Sequence, residues 1–134
     1  MIRFGIGIPQ VESGYRFDVQ ALHRFLARVD TLPFDSAWVL EQPIGVAPVL
    51  EPLALMSHAA AVTSRIRLGT AVILTPLRIP VELAKSLATV DQLSDGRLIA
   101  GLALGAWGDV YPAFGLSSQH RVRRFEEANA NFRP

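Results

Sequence analysis

Four short stretches carry the residue types that can act on a small organic molecule: Pro9-Gln10, Glu41-Gln42, Gly69 to Val72, and Gly101 to Trp107, which includes Ala103 and Gly105. The Glu41 carboxylate can orient a ring or relay a proton, whereas the Gln42 amide donates and accepts hydrogen bonds but cannot act as a base. Gly69, Thr70, Ala71 and Val72 lie within an apolar run that starts at Ile66, and their small size leaves main chain open for a flat ring to rest on. The same residues also suit a narrow place where strands pack, and Glu41-Gln42 also suits a solvated loop.

Each stretch falls where a strand should end. Ile2 to Ile8 is short and apolar and stops at Pro9, as a buried parallel strand does. Asp18 is placed to cap a helix whose Leu22, Phe25, Leu26 and Val29 recur at helical spacing, with His23, Arg24 and Arg28 facing outward. Phe34 to Leu40 reads as the second strand, and Glu51-Pro52 opens a helix through Thr63 with Leu55, Met56, Ala59 and Val62 inward. Ile66 to Pro76 is the third strand, and Pro80 to Leu93 a helix with Leu83, Leu87 and Val90 inward. Ser94-Asp95-Gly96 stops that helix, Arg97 leads into a fourth strand over Leu98 to Leu104, and a last amphipathic segment from Gln119 to Phe132 aligns Phe125, Ala128 and Phe132.

Strict alternation of strand and helix predicts an α/β fold: a parallel sheet with helices on its outside, wound right-handed, and chemistry at the carboxyl ends of the strands. Four units leave an open sheet edge. The 134 residues are about half of the roughly 250 in an eight-fold βα barrel, so the expectation is a single domain over 1–134 corresponding to the amino-terminal half of a TIM-type barrel.

Composition excludes several functions. Half of the residues are hydrophobic and 19% are charged, which argues against disorder, and a net charge of +1 with no interleaving of basic and aromatic residues argues against nucleic acid. Without cysteine there is no disulfide, thiolate nucleophile or zinc knuckle, and His23, His58 and His120 are too widely spaced for a ligand motif, so no metal is expected. No apolar run approaches the roughly 18 residues that span a bilayer, and no signal-type core follows Met1, so no membrane is expected and the expected address is the cytoplasm.

Other motifs are set aside. Gly5-Ile6-Gly7-Ile8-Pro9 lacks the third glycine of a dinucleotide fingerprint and lies inside a strand, and Gly101, Gly105 and Gly108 have the wrong spacing. Arg121, Arg123 and Arg124, beside Glu126 and Glu127, read as a solvated helix face. His58 is expected at a helix or subunit contact, and Asp91 and Arg97 are expected to brace the turn from helix to strand.

Phe34-Asp35-Ser36-x-Trp38-Val39-x-Glu41, then Thr63-Ser64-Arg65-Ile66-x-Leu68-Gly69-Thr70, then Pro80, Ala84-Lys85, Leu87-Ala88-Thr89 and Asp91-Gln92-Leu93-Ser94-x-Gly96-Arg97 together resemble the bacterial luciferase-like monooxygenases, from the first strand to about Glu127. The resemblance implies a βα barrel that binds the deazaflavin coenzyme F420 or, alternatively, FMN, with Glu41 and Gln42 as catalytic positions and Glu41, Gly69, Thr70, Ala71, Val72, Ala103 and Gly105 as cofactor-binding positions. By the same resemblance the Ala71–Val72 bond matches the family's non-proline cis peptide, a bulge against the central ring of the cofactor. Three departures are visible. Gln42 stands where the family often has a histidine acid or base. Leu104 and Ala103 replace an arginine and a reactive cysteine, which argues against light emission. The phosphate-cradling segment of the family belongs to the second half of the barrel. The resemblance thus implies an oxidoreductase acting on a small-molecule substrate by hydride transfer or oxygen insertion; the alternative is a non-catalytic half-barrel that pairs its open edge with another chain. A homo-oligomer, associating through that edge and the helices around Met56 and Leu87, is expected.

Overall fold

A computed structural model describes residues 2–11, 16–45, 47–105, 110–130 and 132. Strands β1 (Gly5–Gly7), β2 (Ser36–Val39), β3 (Arg67–Thr70) and β5 (Leu98–Ile99) form one sheet in the order β1-β2-β3-β5, every pair parallel. Two further short strands, β4 (Ile73–Leu74) and β6 (Leu102–Ala103), pair in parallel as a separate ribbon. Helices α1 (Val19–Thr31), α2 (Pro52–Val62) and α3 (Pro80–Leu93) alternate with these strands, followed by a short α4 (Val110–Ala113) and by α5 (Arg121–Ala130). This is the expected α/β architecture of successive parallel βα units.

The helices begin where their capping chemistry places them. Asp18 accepts from the Ala21 N–H at the start of α1, and Glu51 accepts from the Ala54 N–H at the start of α2, with Pro52 in the first turn. Alternation along the strands sends Ala37, Val39 and Leu68 to the helix side, where they meet Leu22, Leu26 and Val29 of α1 and Leu55, Met56 and Ala59 of α2. Leu53, Ile73, Leu83 and Leu87 form a second cluster with Phe132 against it. The opposite face of the sheet is dominated by one side chain. A Cβ on Gly5 or on Gly69 would each stand 2.4 Å from the Trp38 indole, so the two glycines on the neighbouring strands leave the space this ring occupies. Its Nε1–H donates to Ser36 Oγ at 2.8 Å.

At the amino ends of the strands, two arginines close the ends of helices earlier in the chain. Arg65 donates to the carbonyls of Val29, Asp30, Leu32 and Phe34, and Arg97 to those of Ala60, Thr63, Ile66 and Ser94, so terminal acceptors of α1 are satisfied from the lead-in to β3 and those of α2 from the lead-in to β5. Arg97 therefore has the bracing role expected of it. Asp30 faces the other way and accepts the N–H groups of Ser64, Arg65 and Ile66 at 2.8–2.9 Å.

The structure corrects five expectations. The third strand is interrupted after Thr70 and its tail, Thr75–Leu77, is a 3-10 turn; the fourth is interrupted between Ile99 and Leu102. At both breaks the Thr70 hydroxyl takes up main-chain groups of Gly101. The first strand is only Gly5–Gly7, with Ile2 and Phe4 exposed, because β1 is an edge of the described sheet. Val62 is exposed, and Thr63 occupies the buried place at the end of α2 with its hydroxyl donating to the Ala59 carbonyl. His23 is not on an outward face but against α2.

Burial opposes ionisation of Asp30, yet the three backbone N–H groups and the Ser64 hydroxyl outweigh it and hold the carboxyl at about 2 instead of 3.8. A lowered folded value means that the contribution to stability is complete above the unfolded value and is lost as the pH falls toward 2. Urea unfolding of Asp30→Asn is expected to show lower stability at pH 7 and a smaller loss between pH 4 and pH 2 than the parent chain.

Candidate functional site

At the carboxyl end of β2 the chain turns through Glu41, whose side chain is 6% exposed. One carboxylate oxygen accepts the Leu74 N–H, and the other accepts from the Arg78 guanidinium, with Nε at 3.0 Å. Arg78 also reaches Glu51 Oε1 at 2.7 Å, and the other oxygen of Glu51 caps α2 through Ala54. A continuous line of charge-assisted bonds thus runs from the start of α2 to the backbone of β4. Burial would lower the Arg78 pKa, but the hydrogen bonds and charges of the two carboxylates outweigh it and hold the guanidinium above its ordinary value.

The interruption of β3 lies beside this line. The Ala71 N–H still donates to the Val39 carbonyl at 2.7 Å, and the Ala71–Val72 peptide that follows is cis. Across from it, Thr70 Oγ1 donates to the Gly101 carbonyl and accepts the Gly101 N–H, both at 2.9 Å. One hydroxyl therefore satisfies both main-chain groups of Gly101 where β5 stops and β6 has not begun. Ile73 N–H then donates to the same carbonyl at 2.8 Å and β4 starts. A Cβ on Gly101 would lie 2.1 Å from the Thr70 carbonyl oxygen, so only glycine fits this crossing. Leu74 is in register with Ala103, and Gly105, at φ +78°, leaves room for the Leu74 side chain.

Of the residues expected from the sequence, Glu41, Thr70, Ala71, Val72, Ala103 and Gly105 are thereby gathered around one interruption of the sheet. Ala71 is exposed and Val72 half-buried, whereas Thr70 is 1% exposed with its hydroxyl committed to Gly101. Gly69 lies one step back, its open side covered by Trp38. Gln10 is held away from chemistry: its amide exchanges bonds with Leu40 N–H, Leu40 O and Leu50 O, tying β1 to the end of β2. Gln42 is exposed and folds over Gly45. With Glu41, Leu50, Arg78, Leu83 and Phe114 it lines a cavity of about 610 Å³ between the starts of α2 and α3, which does not reach residues 69–72, 103 or 105. Trp107 and Gly108 lie outside the described residues.

Two participants escaped the sequence. Arg78 sits in an apolar Pro-Leu-Arg-Ile-Pro stretch with nothing to announce its two carboxylate partners, which are 37 and 27 residues away. Tyr111 is fully buried and its hydroxyl donates to the Leu104 carbonyl at 2.6 Å, anchoring α4 to the strand end. Burial pushes the Tyr111 pKa up, with Arg121 and Arg124 opposing.

Residues 2–134 match the family described as luciferase-like monooxygenase. Limonene 1,2-monooxygenase from Rhodococcus erythropolis is 32% identical over 120 residues, covering 89% of this chain and 31% of that enzyme. Among solved structures, the monooxygenase RslO1 from Streptomyces bottropensis superposes with a TM-score of 0.82 at 26% identity, over 98% of this chain and 42% of its own. The oxygenating constituent of 3,6-diketocamphane monooxygenase from Pseudomonas putida, in complex with FMN, gives 0.79 at 18% identity over 97% and 38%. The coenzyme F420-dependent tetrahydromethanopterin reductase from Methanopyrus kandleri gives 0.65 at 20% over 94% and 38%. The chain spans less than half the length of each of these relatives.

Because a methyl group at position 101 would press on main chain, Gly101→Ala is expected to cost about 1–3 kcal/mol or more. Gly7, where an added Cβ meets nothing within 4 Å, supplies the comparison, and Gly7→Ala is expected to be close to neutral. Urea midpoints of the two variants measure the difference.

Proposed function

The chain belongs to the luciferase-like monooxygenase family, and from that premise we propose that it forms the amino-terminal half of a flavin- or deazaflavin-dependent oxidoreductase site acting on a small organic substrate. The observation that carries this reading is the interruption itself: exposed Ala71 and half-buried Val72 offer main chain and small side chains on one side, with Ala103 and Gly105 adjoining through Leu74. A flat ring fits such a surface because no bulky side chain projects from these positions. When bound, coenzyme F420 or FMN supplies the redox-active ring.

The residues of this chain would then divide the work. Ala71 and Val72 support the ring. Gly69 and Thr70 act from beneath, one by admitting Trp38 and the other by fixing Gly101, and neither has to touch the ligand. Glu41 holds the Leu74 N–H and Arg78, so its first duty is to fix the platform in place; with Gln42 it marks the side from which substrate approaches. Gln42 has a free choice of donating or accepting and serves orientation, not proton abstraction. Coenzyme F420 is preferred over FMN on the resemblance of the motifs; the structural likenesses include proteins described with each.

Titration with coenzyme F420 and with FMN, followed by cofactor fluorescence, tests the assignment. The expected result is weak saturable binding by the 134-residue chain, at least tenfold weaker in Ala71→Trp. Equal binding by the variant would place the ring elsewhere.

A second reading, self-association with another copy of the chain, draws on particular exposed residues. Contact is expected through the helices around Met56 and Leu87; these two side chains are themselves buried inside the chain, so other residues of those helices would make it. Ile79 and Val81, 60% and 70% exposed at the start of α3, do face outward, and β1 and β5 are edges of the described sheet. Sedimentation is expected to show a dimer or larger species that Val81→Lys shifts toward monomer; a compact monomer at all concentrations refutes this reading.

A further inference from the structure

Away from the strand ends, His23 on α1 and His58 on α2 bring their Nε2 atoms to 2.8 Å, with ring planes within 14° of parallel and centroids 4.8 Å apart. The nitrogens are much closer than the ring centres, so the two imidazoles meet through their nitrogen edges. One Nε2 must donate a proton and the other accept it. Thirty-five residues of sequence separate the pair, which is why no local spacing reveals it.

We propose that His23 and His58 form a two-nitrogen site for a divalent transition metal of the Cu²⁺ and Ni²⁺ class, in which the donor ring moves its proton from Nε2 to Nδ1 and both Nε2 lone pairs turn to a metal beside the N···N line, joining α1 to α2. Distance is the first argument. Two nitrogens about 2.0–2.1 Å from one metal and at right angles to each other are about 2.9 Å apart, whereas a tetrahedral pair is about 3.4 Å apart. The observed 2.8 Å fits neighbouring positions of a square or octahedral shell and is short for tetrahedral zinc. Preorganisation is the second. Leu22 and Leu26 of α1 and Ala59 of α2 belong to one buried cluster, so the helices that carry the ligands are already fixed and little chain freedom is lost on binding. Accessibility is the third: both histidines are only half-buried, which leaves water free to fill the remaining positions. Among the described residues no group of three or more His, Cys, Asp or Glu side chains could hold a metal ion, so the site rests on two protein nitrogens and its affinity falls well below that of a closed four-ligand centre.

The experiment uses the whole chain without an affinity tag. Calorimetric titration with Cu²⁺, Ni²⁺ and Zn²⁺ is expected to give one saturable site, with Ni²⁺ held at least as tightly as Zn²⁺. Electron paramagnetic resonance of the Cu²⁺ form is expected to show two equivalent nitrogens. His23→Gln and His58→Gln should each weaken binding at least tenfold and remove the two-nitrogen pattern, with circular dichroism confirming that the variants fold. His120→Gln should change neither. Absence of a saturable site in the parent chain, or a two-nitrogen signal that survives in either folded variant, overturns the proposal.

Discussion

The Thr70 hydroxyl stands at the point where the sheet would otherwise come apart. Two strands stop there, and the glycine opposite has an N–H with no strand partner and a carbonyl reached from the main chain by Ile73 at the start of β4. Buried unpaired main-chain groups cost about 1–3 kcal/mol each, so an interruption of this kind persists only where another group supplies the missing bonds. The Thr70 side chain accepts the N–H and adds a second donor to the carbonyl, both at 2.9 Å, and the sheet resumes as β4 and β6. Ala103 and Gly105 take their positions from that resumption.

Charge holds the same region from the outside. The Glu41–Arg78–Glu51 line is partly desolvated, and removing one partner of such a pair leaves an uncompensated charge, a loss of about 3–5 kcal/mol for a fully buried pair. The Arg123–Glu127 and Arg24–Asp18 pairs are exposed and contribute little by comparison. Arg65, Arg97 and Asp30 do at the opposite end of the sheet what Arg78 does here, but through main-chain partners. One end is locked by helix-end carbonyls and the other by carboxylates, and neither lock uses the side chains of Ala71 and Val72.

Much of this was legible in the residues, and the limits have physical causes. Helices α1, α2 and α3 announce themselves because capping by Asp18 and Glu51 and the 3.6-residue stripe are local signals. The interruptions after Thr70 and Ile99 leave no such mark: an apolar run reads as one strand whether or not it breaks, since the break depends on a threonine and a glycine 31 residues apart. Glu41 was recognisable as a chemical group, but its partners were not, and a carboxylate committed to Arg78 and a backbone N–H differs from a free one. His23 read as outward-facing because the stripe assigns it so; the neighbouring helix covers that face. Gly5 and Gly69 gave no sign of their common neighbour.

That neighbour has an evolutionary corollary. Trp38 fills a space bounded by Gly5 on one strand and Gly69 on the other, so the three positions share a single fixed volume. Substitutions among them cannot be accepted independently: a larger residue at 5 or 69 demands a smaller one at 38, and a smaller one at 38 leaves a void that the flanking strands must refill. Among homologues these three sites should therefore drift as one correlated unit, with bulk migrating from strand to strand while its total stays constant.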